Sequence, residues 1–210
     1  MPARANPAPS KLTDSVNEQP SPGPIILTGF MGSGKTTVGR ILADYYQCEF
    51  MDTDKRIEDE QKKSVTEIFA ADGEEFFRRL ETELLVTLND GKQSGIITIG
   101  GGMPVREENR RLIKQLGKVV YLKASAETIY QRLKDDNARP LLNVADPRRE
   151  IEEMLARRTP VYAAMADFTV DTDERPLDQV AEEIFQVLAD RLENENEKLE
   201  RIALFQQRNL

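Results

Sequence analysis

The sequence contains no histidine and only one cysteine among its 210 residues. The absence of histidine excludes a histidine-based catalytic triad and a histidine-rich zinc site. Acid–base chemistry must therefore use carboxylates, Lys, Tyr or water. Cys48 has no second cysteine to pair with, so no internal disulfide can form. We expect Cys48 to be a small buried side chain near a strand rather than a catalytic thiol, in a protein of the reducing cytoplasm.

Positive charge is scarce as well, because 29 Lys and Arg residues are outnumbered by 37 Asp and Glu residues and the net charge is −8. A nucleic-acid binder needs a basic face to neutralise phosphates, so we expect no nucleic-acid partner, although a local basic site for a small anion remains compatible. The longest apolar runs have only the length of a strand, and we expect no membrane span. Residues 1–23 lack the apolar core of a secretory signal.

The chain divides into three parts by composition. Residues 1–23, rich in Pro, Ala, Ser and Asn, are predicted to be a disordered leader. Residues 24–190 are predicted to form one folded domain, and residues 191–210 a charged helical extension. We expect that extension to be solvated, with a partner contact or fraying as the alternatives.

Within the predicted domain, short apolar runs alternate with helical patterns. Strands are predicted at 24–29, 49–53, 95–99, 119–123 and 168–171. Helices are predicted at 34–46, 55–62, 65–71, 74–89, 105–116, 126–135 and 148–165, and again from 177. Ser64 and Glu67 have the spacing of a capping box, and Gly73 is a plausible stop for the helix that they begin. The alternation indicates an α/β fold with a parallel sheet buried on both faces, whose ligands bind beyond the carboxyl ends of the strands.

Residues 29–36 match the phosphate-loop pattern GxxxxGKT without a mismatch. The apolar run at 25–27 precedes the loop and a helical pattern follows it, so backbone N–H groups and the helix dipole would favour a bound phosphate. Lys35 would reach the β- and γ-phosphates, and the Thr36 hydroxyl would bind Mg²⁺. The alternative, a glycine-rich turn with a chance lysine, does not explain why both flanks also match. The pattern therefore predicts binding of a nucleoside triphosphate.

Polar or glycine-rich residues follow the second and third predicted strands. Asp52 and Asp54 could serve Mg²⁺ and an acceptor hydroxyl respectively; alternatively, Asp54 is a turn residue that caps the next helix. Residues 100–102 are three glycines, which would allow a ligand to approach the backbone closely, although a plain tight turn is the alternative. The third strand carries no acidic residue at its end, so Asp52 is the natural substitute for Mg²⁺.

Two arginine-containing segments could supply positive charge opposite the phosphate loop. Arg78 and Glu81 are three residues apart on a predicted helix and share a face, although most such arginines are solvated. The polar segment 134–149 is interrupted by prolines and contains Arg139, so it suggests a lid that brings a cation to the transferring phosphoryl group. An ordinary surface loop is the alternative.

Taken in order, these motifs resemble those of the shikimate kinase family. The set comprises GxxGxGKT at 29–36, Asp-Thr-Asp at 52–54, Phe-Arg-Arg-x-Glu at 77–81, Gly-Gly-Gly at 100–102, Arg-Pro-Leu-Leu at 139–142 and Arg-Thr-Pro-x-Tyr at 158–162. The resemblance covers residues 24 to about 190. It implies a P-loop NTPase fold like that of nucleoside monophosphate kinases, a three-layer αβα domain with a five-stranded parallel sheet, substrate-binding helices at about 54–81 and a lid at about 134–149. The implied activity is transfer of the ATP γ-phosphate to the 3-hydroxyl of shikimate, in aromatic amino acid biosynthesis.

The resemblance also implies a role for each matching position. The implied ATP-binding residues are Gly32, Ser33, Gly34, Lys35, Thr36, Thr37, Arg132, Arg139 and Arg175. The implied substrate-binding residues are Asp54, Phe77, Arg78, Gly100, Gly101, Gly102 and Arg158. Lys35, Asp54 and Arg139 would be catalytic, and Mg²⁺ would be bound directly by Thr36 and through water by Asp52. The implied partners are ATP and shikimate, without nucleic acid or membrane, and we expect a monomer.

Three other functions remain open at this point. A kinase for another sugar acid or small polyol, such as gluconate or an aminated shikimate analogue, would use the same motifs. A non-catalytic nucleotide-binding regulator would normally have lost catalytic positions, all of which are present here. A nucleoside monophosphate kinase needs a base-reading pocket, which the Asp-Thr-Asp and triple-glycine segments fit poorly.

Overall fold

The computed structural model of the chain describes residues 23–91, 93–134, 144 and 146–189. Within these residues, five parallel strands form one sheet in the order β2-β3-β1-β4-β5. The strands are β1 Ile25–Thr28, β2 Phe50–Asp52, β3 Ile96–Thr98, β4 Lys118–Lys123 and β5 Phe168–Asp171. All five lie within about one residue of their predicted positions. The three central strands, β3, β1 and β4, are nearly continuous buried runs, as expected for strands covered on both faces.

Helices cover both faces of this sheet. They are α1 Lys35–Tyr46, α2 Thr53–Gln61, α3 Val65–Asp72, α4 Glu74–Asp90, α5 Glu107–Leu116, α6 Ala126–Leu133 and α7 Pro147–Met165, followed by α8 at 177–189. Alternate residues of β1 point to opposite faces: Ile26 packs with residues of α4 and α5, whereas Ile25 and Leu27 pack with residues of α1 and α8. The predicted three-layer αβα architecture is confirmed.

The local signals at helix ends are also seen in the structure, with two corrections. Ser64 and Glu67 form the predicted capping box, and Gly73 ends α3. The helix predicted to start at 55 instead begins at Thr53, and the residue that caps it is Asp52, not Asp54. The helix predicted from 105 begins at Glu107, after a short 3₁₀ turn over Met103–Val105. Both corrections move a boundary at the carboxyl end of a strand, where the site lies.

Several sequence-based predictions concern residues that the structure does not describe. They include most of the leader, the extension at 191–210 and, within the predicted lid, residues 135–143 and 145, with Arg139 among them. Helix α8 packs Val180, Ile184 and Leu188 against the sheet. Cys48 lies just before β2 and is partly rather than fully buried. In the part of the chain that the structure describes, no helix combines the length and apolarity needed to cross a bilayer.

Candidate active site

A cleft of about 830 Å³ opens beyond the carboxyl ends of β1, β2 and β3. The phosphate loop and the start of α1 form one wall, α2 to α4 form a second, and the glycine segment after β3 with one residue of α7 forms a third. Most of the predicted site residues line this cleft: Gly32, Gly34, Lys35, Thr36, Thr37, Asp52, Asp54, Phe77, Arg78, Gly100, Gly101, Gly102 and Arg158. Segments that are far apart in the sequence thus share one cavity.

The phosphate loop has the backbone geometry of an anion cradle. Gly32 and Gly34 have φ angles of 74° and 95°, which side-chain-bearing residues rarely adopt. The Lys35 Nζ donates hydrogen bonds to the carbonyls of Gly29 at 3.0 Å and Phe30 at 2.9 Å, so the ammonium group lies across the loop. Helix α1 starts at Lys35 without a side-chain cap. Its first N–H groups, which the helix itself cannot satisfy, therefore face the cleft beside a positive charge.

Thr36 and Asp52 meet at the edge of this cradle. The Thr36 hydroxyl donates to Asp52 Oδ2 at 3.0 Å, while Oδ1 of the same carboxylate accepts from the N–H groups of Asp54 at 3.1 Å and Lys55 at 3.4 Å. A hydroxyl and an anchored carboxylate are hard oxygen donors that suit Mg²⁺. Among the described residues, no three His, Cys, Asp or Glu side chains converge as a metal cage. The pairing of Thr36 with Asp52 fits a metal held by one or two side chains and by substrate phosphates.

Asp54 lies in the first turn of α2 and faces the glycines that follow β3. A Cβ on Gly100 would collide with Asp54 Oδ1 and would lie 3.0 Å from Glu81 Oε1. Two carboxylates therefore approach the backbone at Gly100, where a side chain could not be accommodated. The hydroxyl of Thr53 accepts a hydrogen bond from the Gly100 N–H at 3.2 Å. This bond ties the start of α2 to the glycine segment and holds Asp54 at its place in the cleft.

Arg78 is bound by two carboxylates of its own helix. Its Nη1 donates to Glu81 Oε2 at 2.9 Å and its Nη2 donates to Glu74 Oε1 at 2.7 Å. Glu81 is fully buried, and burial raises its pKa from 4.5 to about 7 despite the attraction of Arg78, with Asp54 adding a smaller increase. The Glu74 side chain is 63% exposed. Arg78 therefore has one buried partner, and one exposed partner that can exchange with solvent or a ligand.

Arg158 of α7 enters the cleft from the opposite side. Its guanidinium lies 5.7 Å from the centroid of the Phe30 ring, and its Nη1 is 3.4 Å from the carbonyl oxygen of Gly101. The hydroxyl of Tyr162, one helical turn later, donates to the same carbonyl at 2.5 Å. The guanidinium of Arg78 occupies the space beside Gly102, because a Cβ added to this glycine would collide with it. Two arginines from different helices thus flank the glycine segment.

Three other predicted site residues, Ser33, Arg132 and Arg175, are described by the structure but are absent from the lining of this cleft. The Ser33 side chain is buried. The backbone N–H of Ser33 closes the loop by donating to the carbonyl oxygen of Phe30 at 3.2 Å. Arg132 donates to Gly32 O at 3.1 Å and to Thr172 O at 2.7 Å, which fixes it behind the phosphate loop. Arg175 is paired with Glu183 of α8 at 2.6 Å. Arg139 is outside the described residues.

The structure also shows contacts at the site that the sequence analysis did not predict. Val65 and Phe69 of α3 form an apolar wall of the cleft, and Phe69 packs edge-to-face on Phe77 with centroids 5.1 Å apart. Glu74 was missed as a second partner of Arg78, although its i,i+4 spacing was a usable signal. The link from Tyr162 to Gly101 spans 61 residues. No local pattern could have revealed it.

Comparisons with known proteins agree with this geometry. A family model described as shikimate kinase matches residues 31–189. The shikimate kinase of Moorella thermoacetica is 44% identical over 173 residues, which cover 82% of this chain and 98% of that protein. That of Symbiobacterium thermophilum is 42% identical over 169 residues, 80% of this chain and 97% of that protein.

Among solved structures, the shikimate kinase from Acinetobacter baumannii in complex with shikimate superposes with a TM-score of 0.77 at 37% identity. The match covers 81% of this chain and 94% of that one. Sequence, motif order and three-dimensional structure therefore agree, and this chain belongs to the shikimate kinase family.

Proposed function

We propose that this protein transfers the γ-phosphate of ATP to the 3-hydroxyl of shikimate, giving shikimate 3-phosphate and ADP. The observation that carries the proposal is the single cleft that joins the phosphate loop to Asp54, Arg78 and Arg158. A cradle for a triphosphate and two guanidinium groups for a carboxylate line one cavity. The family membership and the shikimate-bound relative support this choice of acceptor.

On the nucleotide side, the loop and α1 position the phosphates. The backbone N–H groups of Gly34, Lys35 and Thr36 bind phosphate oxygens at the helix N-terminus. Lys35 exchanges its carbonyl partners for the β- and γ-phosphates, where negative charge spreads as the phosphoryl group moves. Thr36 and Asp52 would hold Mg²⁺, which when bound neutralises the phosphate oxygens. Asp52 has one oxygen anchored by α2, so its other oxygen is already oriented.

On the acceptor side, Arg78 and Arg158 bind the shikimate carboxylate through planar guanidinium groups suited to that shape. Asp54 accepts the proton of the attacking hydroxyl, whose oxygen forms a bond to the γ-phosphorus while the bond to the ADP oxygen breaks. Gly100, Gly101 and Gly102 contact the acceptor through the backbone. Because phosphoryl transfer requires alignment more than covalent participation by the protein, these fixed contacts provide much of the catalysis.

The remaining predicted residues contact the transferring phosphoryl group, the acceptor and the adenine. Arg139 of the lid at about 134–149 adds positive charge to the transferring phosphoryl group, and Phe77 lines the acceptor pocket. Arg132 and Arg175 lie near the adenine, and the hydrogen bond from Arg132 to Gly32 O also stabilises the phosphate loop.

The folded domain at 24–190 acts as a monomer in the cytoplasm and has no nucleic-acid partner.

The test is release of ADP by the purified protein with Mg²⁺ and ATP across a panel of hydroxylated acids. We expect turnover with shikimate, and a kcat/KM for gluconate at least about 100-fold lower, because a flexible open-chain acid cannot present its carboxylate and hydroxyl in one rigid geometry. A folded protein that binds ATP but does not turn over shikimate would defeat the proposal. A higher kcat/KM for another acceptor would identify that acid as the substrate.

A further inference from the structure

Tyr162 is an unusual tyrosine because its hydroxyl is buried against the backbone of the site. The side chain is fully buried in α7, and the hydroxyl donates to the carbonyl oxygen of Gly101 at 2.5 Å. Arg158, four residues earlier on the same face of the helix, reaches that carbonyl only at 3.4 Å. The strong hold on the Gly101 carbonyl therefore comes from the tyrosine.

Fixing this carbonyl also fixes the direction of the next N–H group. In a trans peptide the carbonyl of Gly101 and the N–H of Gly102 point in opposite directions. Since the carbonyl points at the Tyr162 hydroxyl, the Gly102 N–H points away from that hydroxyl. A Cβ added to Gly102 would collide with the guanidinium of Arg78, so Arg78 occupies the space beside this glycine. The orientation of one peptide thus determines where a backbone donor lies relative to Arg78 and Arg158.

Gly101 has little room to adjust by itself. A Cβ on Gly101 would lie 3.1 Å from the carbonyl oxygen of Gly29, 3.4 Å from the Tyr162 hydroxyl and 3.6 Å from the N–H nitrogen of Met31. The peptide is therefore held between the phosphate loop on one side and Tyr162 on the other. A rotation of this peptide would change the acceptor side of the cleft at its junction with the phosphate loop.

We infer that Tyr162 is a positioning residue for the acceptor: by holding the carbonyl of Gly101, it directs the Gly102 N–H toward the carboxylate-bearing substrate. This inference rests on the proposed function of the same cleft. Tyr162 is absent from the cleft lining, so it does not touch the substrate itself and acts through the groups that its hydroxyl contacts, the Gly101 carbonyl and Arg158. Its hydroxyl remains a donor at working pH, because burial raises the pKa of Tyr162 to about 12 although Arg158 opposes the rise.

Tyr121 offers a matched control. It is buried in β4, its ring centroid is 5.2 Å from that of Tyr162, and its hydroxyl is paired with Thr159 rather than with the glycine segment. Replacing either tyrosine by phenylalanine removes one buried hydroxyl from the same aromatic cluster. Tyr162→Phe removes the bond to Gly101 and the contact of the hydroxyl with Arg158, whereas Tyr121→Phe removes neither.

The experiment compares wild type, Tyr162→Phe and Tyr121→Phe in steady-state kinetics with shikimate and ATP varied separately. We expect Tyr162→Phe to raise the KM for shikimate by about tenfold and to leave the KM for ATP within about twofold, because the Gly101 carbonyl loses its main partner. Tyr121→Phe is expected to change neither KM by more than about twofold. Equal KM values for shikimate in the two folded variants, or equal rises for both substrates, would overturn the inference.

A measurement on the unaltered protein covers the case in which Tyr162→Phe fails to fold. The chain has 12 glycines, so glycine-selective ¹⁵N labelling gives a short amide spectrum. We expect the Gly102 amide resonance to shift when shikimate is added and to be much less affected by Mg²⁺ and ADP. A Gly102 resonance that does not shift with shikimate, while wild type turns it over, contradicts the inference and the proposed contact of Gly102 with the acceptor, but not the proposed reaction. No turnover of shikimate by wild type removes the proposed function and the inference together.

Discussion

Replacement of Arg158 by alanine is the sharpest mutational test of the acceptor site. Arg158 is partly buried, lies in the cleft lining and is 3.4 Å from its nearest carbonyl partner, so its guanidinium is placed to bind an anion in the cleft. A charge-assisted hydrogen bond to a carboxylate contributes about 1.5–3 kcal/mol. We therefore expect Arg158→Ala to raise the KM for shikimate by about 10- to 150-fold, with ATP affinity unchanged.

The neighbouring arginine supplies the control for this prediction. Arg157 carries the same charge on the same helix, but its side chain is 70% exposed and is 4.0 Å from Glu150. Arg157→Ala is expected to alter the KM for shikimate by less than about twofold, because an exposed pair contributes little. The assay is coupled ADP release with each substrate varied at saturation of the other. The reasoning is refuted if the two variants have the same KM for shikimate, or if Arg158→Ala weakens ATP alone.

Three further predictions concern Lys35, Glu74 and Glu81. Lys35→Ala should lower kcat by at least about 100-fold while the circular dichroism spectrum stays unchanged, since charge stabilisation at the γ-phosphate is lost; a near-normal rate would exclude its assigned role. Glu74→Gln should lower the KM for shikimate by about twofold, because a carboxylate that competes for Arg78 is removed from a largely exposed pair; a higher KM would mean that Glu74 positions Arg78 instead. Glu81 has its pKa raised from 4.5 to about 7. The folded state therefore binds the extra proton between these values, and stability from this group is present below pH 4.5 and lost as pH rises through about 7, by about 3 kcal/mol in all. Urea midpoints of Glu81→Gln measured across this range should show a smaller decline than wild type, and parallel curves would contradict the assignment.

The sequence predicted well those features that depend on neighbouring residues. The phosphate loop is contiguous, and its flanking strand and helix follow from apolar patterns, so residues 29–36 and their structural setting could be read directly. The capping box at Ser64 and the end of α3 at Gly73 are equally local signals. The start of α2, at the end of β2, was harder to predict, because both Asp52 and Asp54 can cap a helix. Only the backbone shows that Asp52 does so.

Contacts between distant segments could not be predicted in the same way. The bonds of the Gly101 carbonyl to Arg158 and Tyr162 cross 57 and 61 residues, and they depend on how α7 packs beside the glycine segment. The raised pKa of Glu81 likewise depends on complete burial, which its charged sequence neighbours do not suggest. The sequence thus indicates which residues could act. The packing of helices on the sheet decides which of them meet.

The most direct measurement is a crystal structure of this protein with Mg²⁺, ADP and shikimate bound together. We expect the shikimate carboxylate between Arg78 and Arg158, its 3-hydroxyl within hydrogen-bond distance of Asp54, and the ADP phosphates on the loop beside Lys35. Shikimate bound elsewhere, or with its 3-hydroxyl turned away from the nucleotide, would contradict the account.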